Sequence, residues 1–360
     1  MRVAIVGAGP IGRATAAYLA HHGIDAGVWS PSGRSLAGLT PDPAAAGRVL
    51  LSHEGAIEGR ASIAQIQSAA ALSPYDVVVI AIPGHAYPAV LPGVVQAVSS
   101  RQLVIVSGAL SLAPVWIRER VAARGIEPPA VVGWGTTLGT ARRTPTADVK
   151  VNTLRAMFDM AAVPAGAGAT ALAKCRELFG DRFTLRDDIV GVTLANVNPI
   201  AHAAEVLPNL TRIDRCEDWA LFGCMTESAA RMCAALDAER LRVAAAFGAN
   251  VRSIEEHYRL SYHVEGADIA ELAAAIHARY GGIGPTTLEH RYVLEDVPFG
   301  LLVIEALARC AGVEVPNVSG AIALLSSACG RDFRADNPLL ADLAIAQSTP
   351  GALLARCRGE

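Results

Sequence analysis

Short apolar runs alternate with helical patterns through the first half of the chain. Runs rich in valine and isoleucine, which are typical of buried parallel strands, lie at residues 2–6, 24–30, 76–82, 102–107 and 130–134. Weaker strand patterns lie at 149–154 and 161–163, and helical periodicity covers 85–98, 111–124 and 169–179. This alternation predicts an α/β fold of the Rossmann type, a doubly wound parallel sheet with helices on both faces.

Beyond residue 188 the strand patterns end, and alanine- and leucine-rich helical patterns replace them. Four helices are expected, at residues 218–236, 237–247, 269–280 and 298–311. The sequence therefore predicts two domains, a nucleotide-binding α/β domain over 1–188 and an all-helical domain over 189–360. A substrate cleft is expected between the two.

The first strand runs directly into the sequence GAGPIG and then into a helix. Gly7 permits the tight turn, Gly9 lets the backbone approach a pyrophosphate, and Gly12 lets the helix pack against the strand. The turn is therefore predicted to bind a dinucleotide, with Pro10 and Ile11 at the start of the helix that holds the phosphates. Ile82 and Pro83 are also expected at the cofactor, since ligands bind at the carboxyl ends of such strands.

The end of the second strand indicates which dinucleotide is bound. An enzyme that prefers NAD usually carries an acidic residue there, but this chain has Ser30, followed by Ser32 and Arg34. Serine hydroxyls and an arginine favour a 2′-phosphate, which a carboxylate would repel. We therefore predict NADP(H). The alternative is that Arg34 is an ordinary solvated arginine of a loop.

Composition excludes several other classes of protein. Of the 360 residues, 52% are hydrophobic and 18% are charged, as in a folded globular protein. The formal net charge of −3, without a basic block, argues against nucleic-acid binding. No apolar run is long enough to span a membrane, and Met1 leads straight into the first strand, so a cytoplasmic location is expected. The seven cysteines form no C-x-x-C pair, so neither a metal site nor a disulfide framework is predicted.

Two stretches of the helical half carry candidate chemistry. Asn198, His202 and Glu205 are spaced to share one face of a helix whose other residues are apolar. His202 is a candidate acid–base group, although Asn198 could be only a helix cap and His202 only a core histidine. In the second stretch, Asp296 precedes a helix as an N-cap would, Glu295 is expected to be solvated, and Arg291 is either a surface charge or a carboxylate clamp.

Several motifs together resemble the octopine/nopaline family of opine dehydrogenases. They are GAGPIG at 7–12, N-x-N-x-x-x-H at 196–202, L-D-A-E-R at 236–240 and G-P-T-T-L-x-x-R-Y-x-x-E-D-x-P-x-G-L at 284–301. The resemblance implies an enzyme that joins a 2-oxo acid such as pyruvate to the amino group of an amino acid and reduces the imine with a nicotinamide hydride. A homodimer is left open.

The resemblance also implies roles for particular residues. His202 corresponds to the family's catalytic histidine and Asp296 to its partner aspartate, while Asn198 and Arg291 match substrate-side positions. Arg142 and Arg143 are further candidate cations for a substrate carboxylate. Thr136 and Thr137 either bind a carboxylate or form a turn. The chain departs from the family pattern at Ala203, where many relatives have proline, and in the substrate loop over 133–143.

Three alternatives remain open at this point. A ketopantoate-reductase-like or 3-hydroxyacid dehydrogenase shares the two-domain plan but usually relies on a catalytic lysine, and residues 189–360 contain none. A non-catalytic NADPH-binding protein would keep the fold without contact between His202 and Asp296. The metallophore branch of the family has typically longer members.

Overall fold

The computed structural model describes residues 1–360 and contains one twelve-stranded sheet. Its strands are β1 (Arg2–Val6), β2 (Asp25–Trp29), β3 (Thr40–Pro41), β4 (Arg48–Gly55), β5 (Gly59–Ile66), β6 (Val77–Ile80), β7 (Leu103–Val106), β8 (Ala130–Trp134), β9 (Gly139–Arg142), β10 (Val149–Leu154), β11 (Phe158–Val163) and β12 (Phe183–Leu185). They are ordered β12-β11-β8-β7-β6-β1-β2-β5-β4-β10-β9, and β3 pairs with β4.

The centre of the sheet, from β8 to β5, is parallel throughout. The chain passes from β1 to β2 in one direction and from β6 through β7 to β8 in the other. Because parallel crossovers are right-handed, the connecting helices cover opposite faces. The doubly wound α/β fold predicted from the sequence is therefore confirmed, with antiparallel pairs added towards both edges.

Fifteen α-helices accompany the sheet. They are α1 (Pro10–His21), α2 (Tyr87–Ala97), α3 (Ala113–Ala122), α4 (Gly168–Phe179), α5 (Ile189–Leu194), α6 (Asn198–Val206), α7 (Leu210–Asp214), α8 (Glu227–Ala246), α9 (Ile254–Tyr262), α10 (Ile269–Tyr280), α11 (Arg291–Leu294), α12 (Leu302–Ala311), α13 (Pro316–Cys329), α14 (Pro338–Leu343) and α15 (Pro350–Arg358). A π-helical turn, Val297–Leu301, precedes α12. No helix is both long enough and apolar enough to cross a membrane.

Two predictions of local structure were wrong. The helices expected at 218–236 and 237–247 are one helix, α8, which begins only at Glu227 and continues through a buried Asp237. No strand is expected from the sequence at the positions of β3, β4, β5, β9 and β12. In β4 and β5, buried and partly exposed residues alternate along the strand, so their apolar signal is weaker than that of the central strands.

The chain forms two compact units. Unit 1 comprises Met1–Ile82, Ala86–Val192 and Ala355–Glu360, and unit 2 comprises Pro83–His85 and Thr193–Leu354. The sequence placed the division at residue 188 and assigned the chain beyond it to one domain. The end of α15 instead joins unit 1, where Arg356 Nε donates to Glu119 Oε1 at 2.8 Å and Cys357 is fully buried.

Candidate active site and cofactor site

The glycine-rich turn of unit 1 lies at the carboxyl ends of three adjacent strands. Gly7 follows β1, and its N–H donates to the Trp29 carbonyl at the end of β2. At its other side, Ala81 N–H donates to the Val6 carbonyl. A Cβ on Gly7 would lie 2.4 Å from the Ala81 carbonyl oxygen, and its φ of +112° favours glycine. Glycine at this position is therefore required by the fold itself.

The other two glycines behave differently. A Cβ on Gly12 would lie 1.8 Å from the Gly7 carbonyl oxygen, so Gly12 allows α1 to pack against the turn. Gly9 is the N-cap residue of α1, and no atom lies within 4 Å of the position that a Cβ on Gly9 would occupy. Open space beside the N–H groups of a helix N-terminus suits a pyrophosphate. This arrangement fits a dinucleotide held along Gly9, Pro10 and Ile11.

The loop after β2 carries the residues expected to select the cofactor. Ser30 is buried at the end of the strand, whereas Ser32 and Arg34 are exposed. A buried arginine, Arg13 of α1, holds this loop by donating from Nη2 to the Ser35 carbonyl. No carboxylate stands at the end of β2, so the residues present fit a phosphorylated ribose.

Thr136 and Thr137 lie just beyond β8, at the same carboxyl edge of the sheet. Thr137 Oγ1 donates to the Gly139 carbonyl at 2.8 Å, and the Thr136 carbonyl accepts from Gly108 N–H at 3.2 Å. The Thr137 hydroxyl thus closes a turn, which is the structural alternative stated for it above. Ile82 is the last residue of its segment in unit 1, and Pro83 already belongs to unit 2.

Unit 2 brings together the two residues proposed as a catalytic pair. His202 of α6 and Asp296, which precedes the π-helical turn, are 94 positions apart in sequence, yet His202 Nδ1 and Asp296 Oδ2 are 2.6 Å apart. The side chains are 11% and 3% exposed. Asp296 makes no side-chain cap, so the N-cap interpretation of this residue was wrong. The bond leaves Nε2 of His202 without a protein partner.

An aromatic ring fixes the plane of the histidine. Tyr292 of α11 stacks on His202 with ring centroids 3.5 Å apart and an interplanar angle of 13°. The ring of His290 packs perpendicular to that of Tyr292, with ring centroids 4.5 Å apart and an interplanar angle of 88°. Burial raises the pKa of Tyr292 to about 12, so its hydroxyl is neutral at physiological pH. Tyr292 lies within the long motif at 284–301, but its contact with His202 could not be deduced from spacing.

A buried carboxyl group lies one helical turn beyond His202. Glu205 is buried, and its Oε2 has no hydrogen-bond partner. Desolvation raises the pKa of Glu205 to about 7, against the opposing effect of His202 and with a smaller contribution from Asp296. The hydroxyl of Tyr258 on α9 is likewise buried and unpartnered. His202, Asp296 and Glu205 form a group that we call the open cluster, because its hydrogen-bonding capacity is only partly used.

Glu295 and Arg291 also differ from their expected roles. Glu295 was expected to be solvated, but it is buried, and its Oε2 accepts a hydrogen bond from Gly84 N–H at 2.8 Å. Burial raises the pKa of Glu295, and Arg291 opposes this. Arg291 Nη2 lies 3.6 Å from Glu295 Oε1 with its side chain 55% exposed. The guanidinium of Arg291 is therefore accessible to a ligand. Asn198 is exposed at the first position of α6, and its N–H is bound by Asn196 Oδ1.

The L-D-A-E-R motif forms a second buried group of charges, which we call the paired cluster: Asp237, Glu239 and Arg240. Arg240 is completely buried, donates to Asp237 Oδ1 at 2.8 Å and to the Arg252 carbonyl at 2.7 Å, and also donates to the Leu194 carbonyl. Glu239 accepts from the Asn317 side chain and from Val318 N–H. This motif joins helices and takes no part in the open cluster.

Comparison with known proteins agrees with both units. Residues 185–329 match the family model of the NAD/NADP octopine/nopaline dehydrogenase alpha-helical domain, and residues 2–109 match that of the coenzyme F420-dependent NADP oxidoreductases. The chain is 27% identical to an opine dehydrogenase of Arthrobacter sp. (strain 1C) over 356 residues, which cover 97% of each protein.

Two solved structures have the same fold. Octopine dehydrogenase in complex with NADH and agmatine aligns with a TM-score of 0.79 at 16% identity, over 100% of this chain and 98% of that one. Yersinopine dehydrogenase bound to NADP⁺ aligns with a TM-score of 0.69 at 14% identity, over 98% and 95%. The resemblance predicted from the sequence is thereby confirmed, and residues 185–329 are similar to the alpha-helical domain of the octopine/nopaline dehydrogenases.

Proposed function

We propose that the protein is an NADPH-dependent opine dehydrogenase, which condenses a 2-oxo acid with the amino group of an amino acid and reduces the resulting imine. The observation that carries this proposal is the buried hydrogen bond between His202 and Asp296. The 97% overlap with a known opine dehydrogenase supports it.

The pair is suited to move a proton in both directions. Asp296 accepts a hydrogen bond from the N–H at Nδ1, so the basic nitrogen of the neutral ring is Nε2. Nε2 takes a proton from the ammonium group of the amino acid, which makes that nitrogen a nucleophile. The imidazolium then returns the proton to the carbinolamine hydroxyl, which leaves as water. Asp296 stabilises the charged ring between the two steps.

The overall reaction balances without any further reactant. Protonation of the carbinolamine hydroxyl expels one water and leaves the imine protonated at nitrogen, and a hydride delivered to its carbon then gives the secondary amine. The reduced nicotinamide supplies that hydride when it is bound. The stacked Tyr292 keeps the His202 ring in one orientation, which pre-organises Nε2 towards the reacting nitrogen.

Three further groups are proposed to bind the substrates. Both substrates carry carboxylates, and the half-exposed guanidinium of Arg291 is available for one of them. Asn198 is exposed one turn before His202 on α6 and offers amide donors. The hydroxyl of Thr137 is engaged in its turn, so Thr136 is the better candidate of the two threonines.

The test is a coupled assay of NADPH oxidation. Pyruvate and glyoxylate are each supplied with a panel of amino acids, and each 2-oxo acid is also supplied alone. We expect oxidation only when both an amine and a 2-oxo acid are present, with a secondary amine detected by mass spectrometry. Oxidation by a 2-oxo acid alone would instead indicate a ketopantoate-reductase-like enzyme. NADPH binding without turnover on any pair would indicate a non-catalytic protein.

The cofactor preference has its own test. Ser30 and Arg34 support NADP(H), because they can donate to a 2′-phosphate at a position where a carboxylate would repel it. We expect Arg34→Ala to raise the KM for NADPH on the order of tenfold, as for loss of one charge-assisted contact, and to leave the KM for NADH unchanged. Equal use of NADH and NADPH by the unmodified protein would overturn the preference.

A further inference from the structure

A second exposed arginine lies against the loop that carries Arg34. Arg143 follows β9, in the connection to β10, and its Nη2 donates to the Ser35 carbonyl at 3.3 Å. All of these residues belong to unit 1. The sequence suggests Arg143 as a clamp for a substrate carboxylate, but in the structure Arg143 contacts Ser35, the residue that follows Arg34 in the loop after β2.

Arg13 holds the connection and the loop in fixed positions. This buried arginine donates from Nε to the Ala8 carbonyl in the glycine-rich turn at 3.0 Å, and from Nη1 to the Asp148 carbonyl at 2.9 Å. Its Nη2 donates to the same Ser35 carbonyl that Arg143 contacts. One side chain therefore ties together the turn, the loop after β2 and the β9–β10 connection. The position of Arg143 is set by this framework.

The charges around the loop are unbalanced. Glu54, a carboxylate beside the β9–β10 connection, contacts Thr144, Thr146 and Lys150, and the Asp148 carboxylate lies 3.9 Å from Arg13 Nη1. Both the N–H and the hydroxyl of Ser52 already bind that carboxylate, at 2.8 and 2.7 Å. Neither Arg34 nor Arg143 is paired with an acidic group. Such a region favours a compact dianion, and a phosphate monoester has the required charge and geometry.

We propose that Arg143 is a second determinant of cofactor specificity, which binds the 2′-phosphate of NADP(H) together with Arg34. This inference rests on the cofactor preference proposed above. It assigns Arg143 to the cofactor and leaves the substrate carboxylates to other cations. Arg143 acts by direct contact, whereas Arg13 is a positioning residue that carries the connection to the right place.

The test uses equilibrium binding, which does not depend on knowing the substrates. NADPH and NADH are titrated into the full-length protein, and the fluorescence of each cofactor reports its binding. The proteins compared are the unmodified protein and the variants Arg143→Ala, Arg34→Ala and Arg142→Ala. The last variant is the matched control. Arg142 is the neighbouring exposed arginine, and in the register of the β9–β10 hairpin its backbone lies opposite that of Lys150. Inorganic phosphate and 2′-phosphoadenosine 5′-phosphate serve as competitors.

We expect Arg143→Ala to weaken NADPH binding on the order of tenfold, to leave NADH binding within about twofold, and to reduce the effect of added salt on NADPH affinity. Arg142→Ala should change neither affinity. Equal weakening of both cofactors would show that Arg143 only supports the loop, and no change would show that it does not reach the phosphate. Either result overturns the inference. If Arg143→Ala gives one of these results but Arg34→Ala abolishes the preference for NADPH over NADH, the proposal that the protein uses NADP(H) survives. If the unmodified protein binds both cofactors equally, that proposal fails first.

Discussion

The helical unit contains two buried groups of charged residues that differ in how completely they are paired. In the paired cluster, Asp237 Oδ1 accepts from Arg240 and Oδ2 accepts from Ile254 N–H, and the Glu239 carboxylate is also fully bound. In the open cluster, His202 keeps a basic nitrogen and Glu205 Oε2 keeps no partner. Burial of charge is therefore common to both groups, and the open cluster differs from the paired cluster in the hydrogen-bonding capacity that it leaves unused.

The largest expected effect is on turnover and comes from the open cluster. His202→Asn keeps a donor for Asp296 but removes the basic nitrogen, so kcat should fall by roughly 100- to 10,000-fold, the usual contribution of a general acid–base group. The measurement is steady-state oxidation of NADPH with the best substrate pair, with circular dichroism as the control for folding. Turnover near that of the unmodified protein would remove His202 from the mechanism.

The next effect is on stability and comes from the paired cluster. Arg240→Met keeps the length of the side chain but leaves Asp237 as a buried charge without its partner, which should cost on the order of 3–5 kcal/mol in the free energy of unfolding. Urea unfolding measures this cost. The double variant Asp237→Asn/Arg240→Met is the matched control, because it removes both charges and should recover part of the loss. A cost below about 1 kcal/mol for Arg240→Met would contradict full pairing.

Glu205 gives the smallest effect, and the size of this effect depends on pH. Its folded pKa of about 7 lies above the ordinary value of 4.5, so the folded state holds an extra proton between those two values. Stability therefore falls as the pH rises through this window, by about 3 kcal/mol when the shift is converted to free energy.

Replacement of Glu205 by glutamine tests this sign. Glu205→Gln should unfold with a smaller dependence on pH between about pH 4.5 and 7, and above that range it should be more stable than the unmodified protein, by up to about 3 kcal/mol. Urea unfolding of both proteins at the two ends of the range measures the difference. Identical pH dependence of the two proteins would show that Glu205 is ionised and solvated in the folded state.

The features that the sequence predicted well are those set by neighbouring residues. Gly7, Gly9 and Gly12 lie within six positions of one another, and the strand–turn–helix around them follows from that spacing. The central strands were equally clear, because burial on both faces selects uninterrupted valine and isoleucine, as in Val77–Ile80. The meeting of His202 with Asp296 depended on resemblance to a family, since no local pattern links residues so far apart.

The two errors arise from contacts that the sequence alone does not show. Glu295 is expected in solvent, but it is buried and accepts a hydrogen bond from Gly84 N–H, 211 positions away. The break between helices expected at Asp237 is absent, because Arg240 neutralises this carboxylate one turn later inside the continuous α8. The contact of Arg143 with the loop after β2 could not be predicted either, because the two segments are far apart in sequence.

The return of residues 355–360 to unit 1 has a consequence for how the protein is made. These residues follow the whole helical unit in chain order, yet Cys357 fills the interior of the nucleotide-binding unit and Arg356 pairs with Glu119 there. On the ribosome, the first unit therefore cannot complete its packing until the second has been synthesised. A chain cut after residue 188 would lack this segment, and adding residues 350–360 as a separate peptide offers a way to restore it.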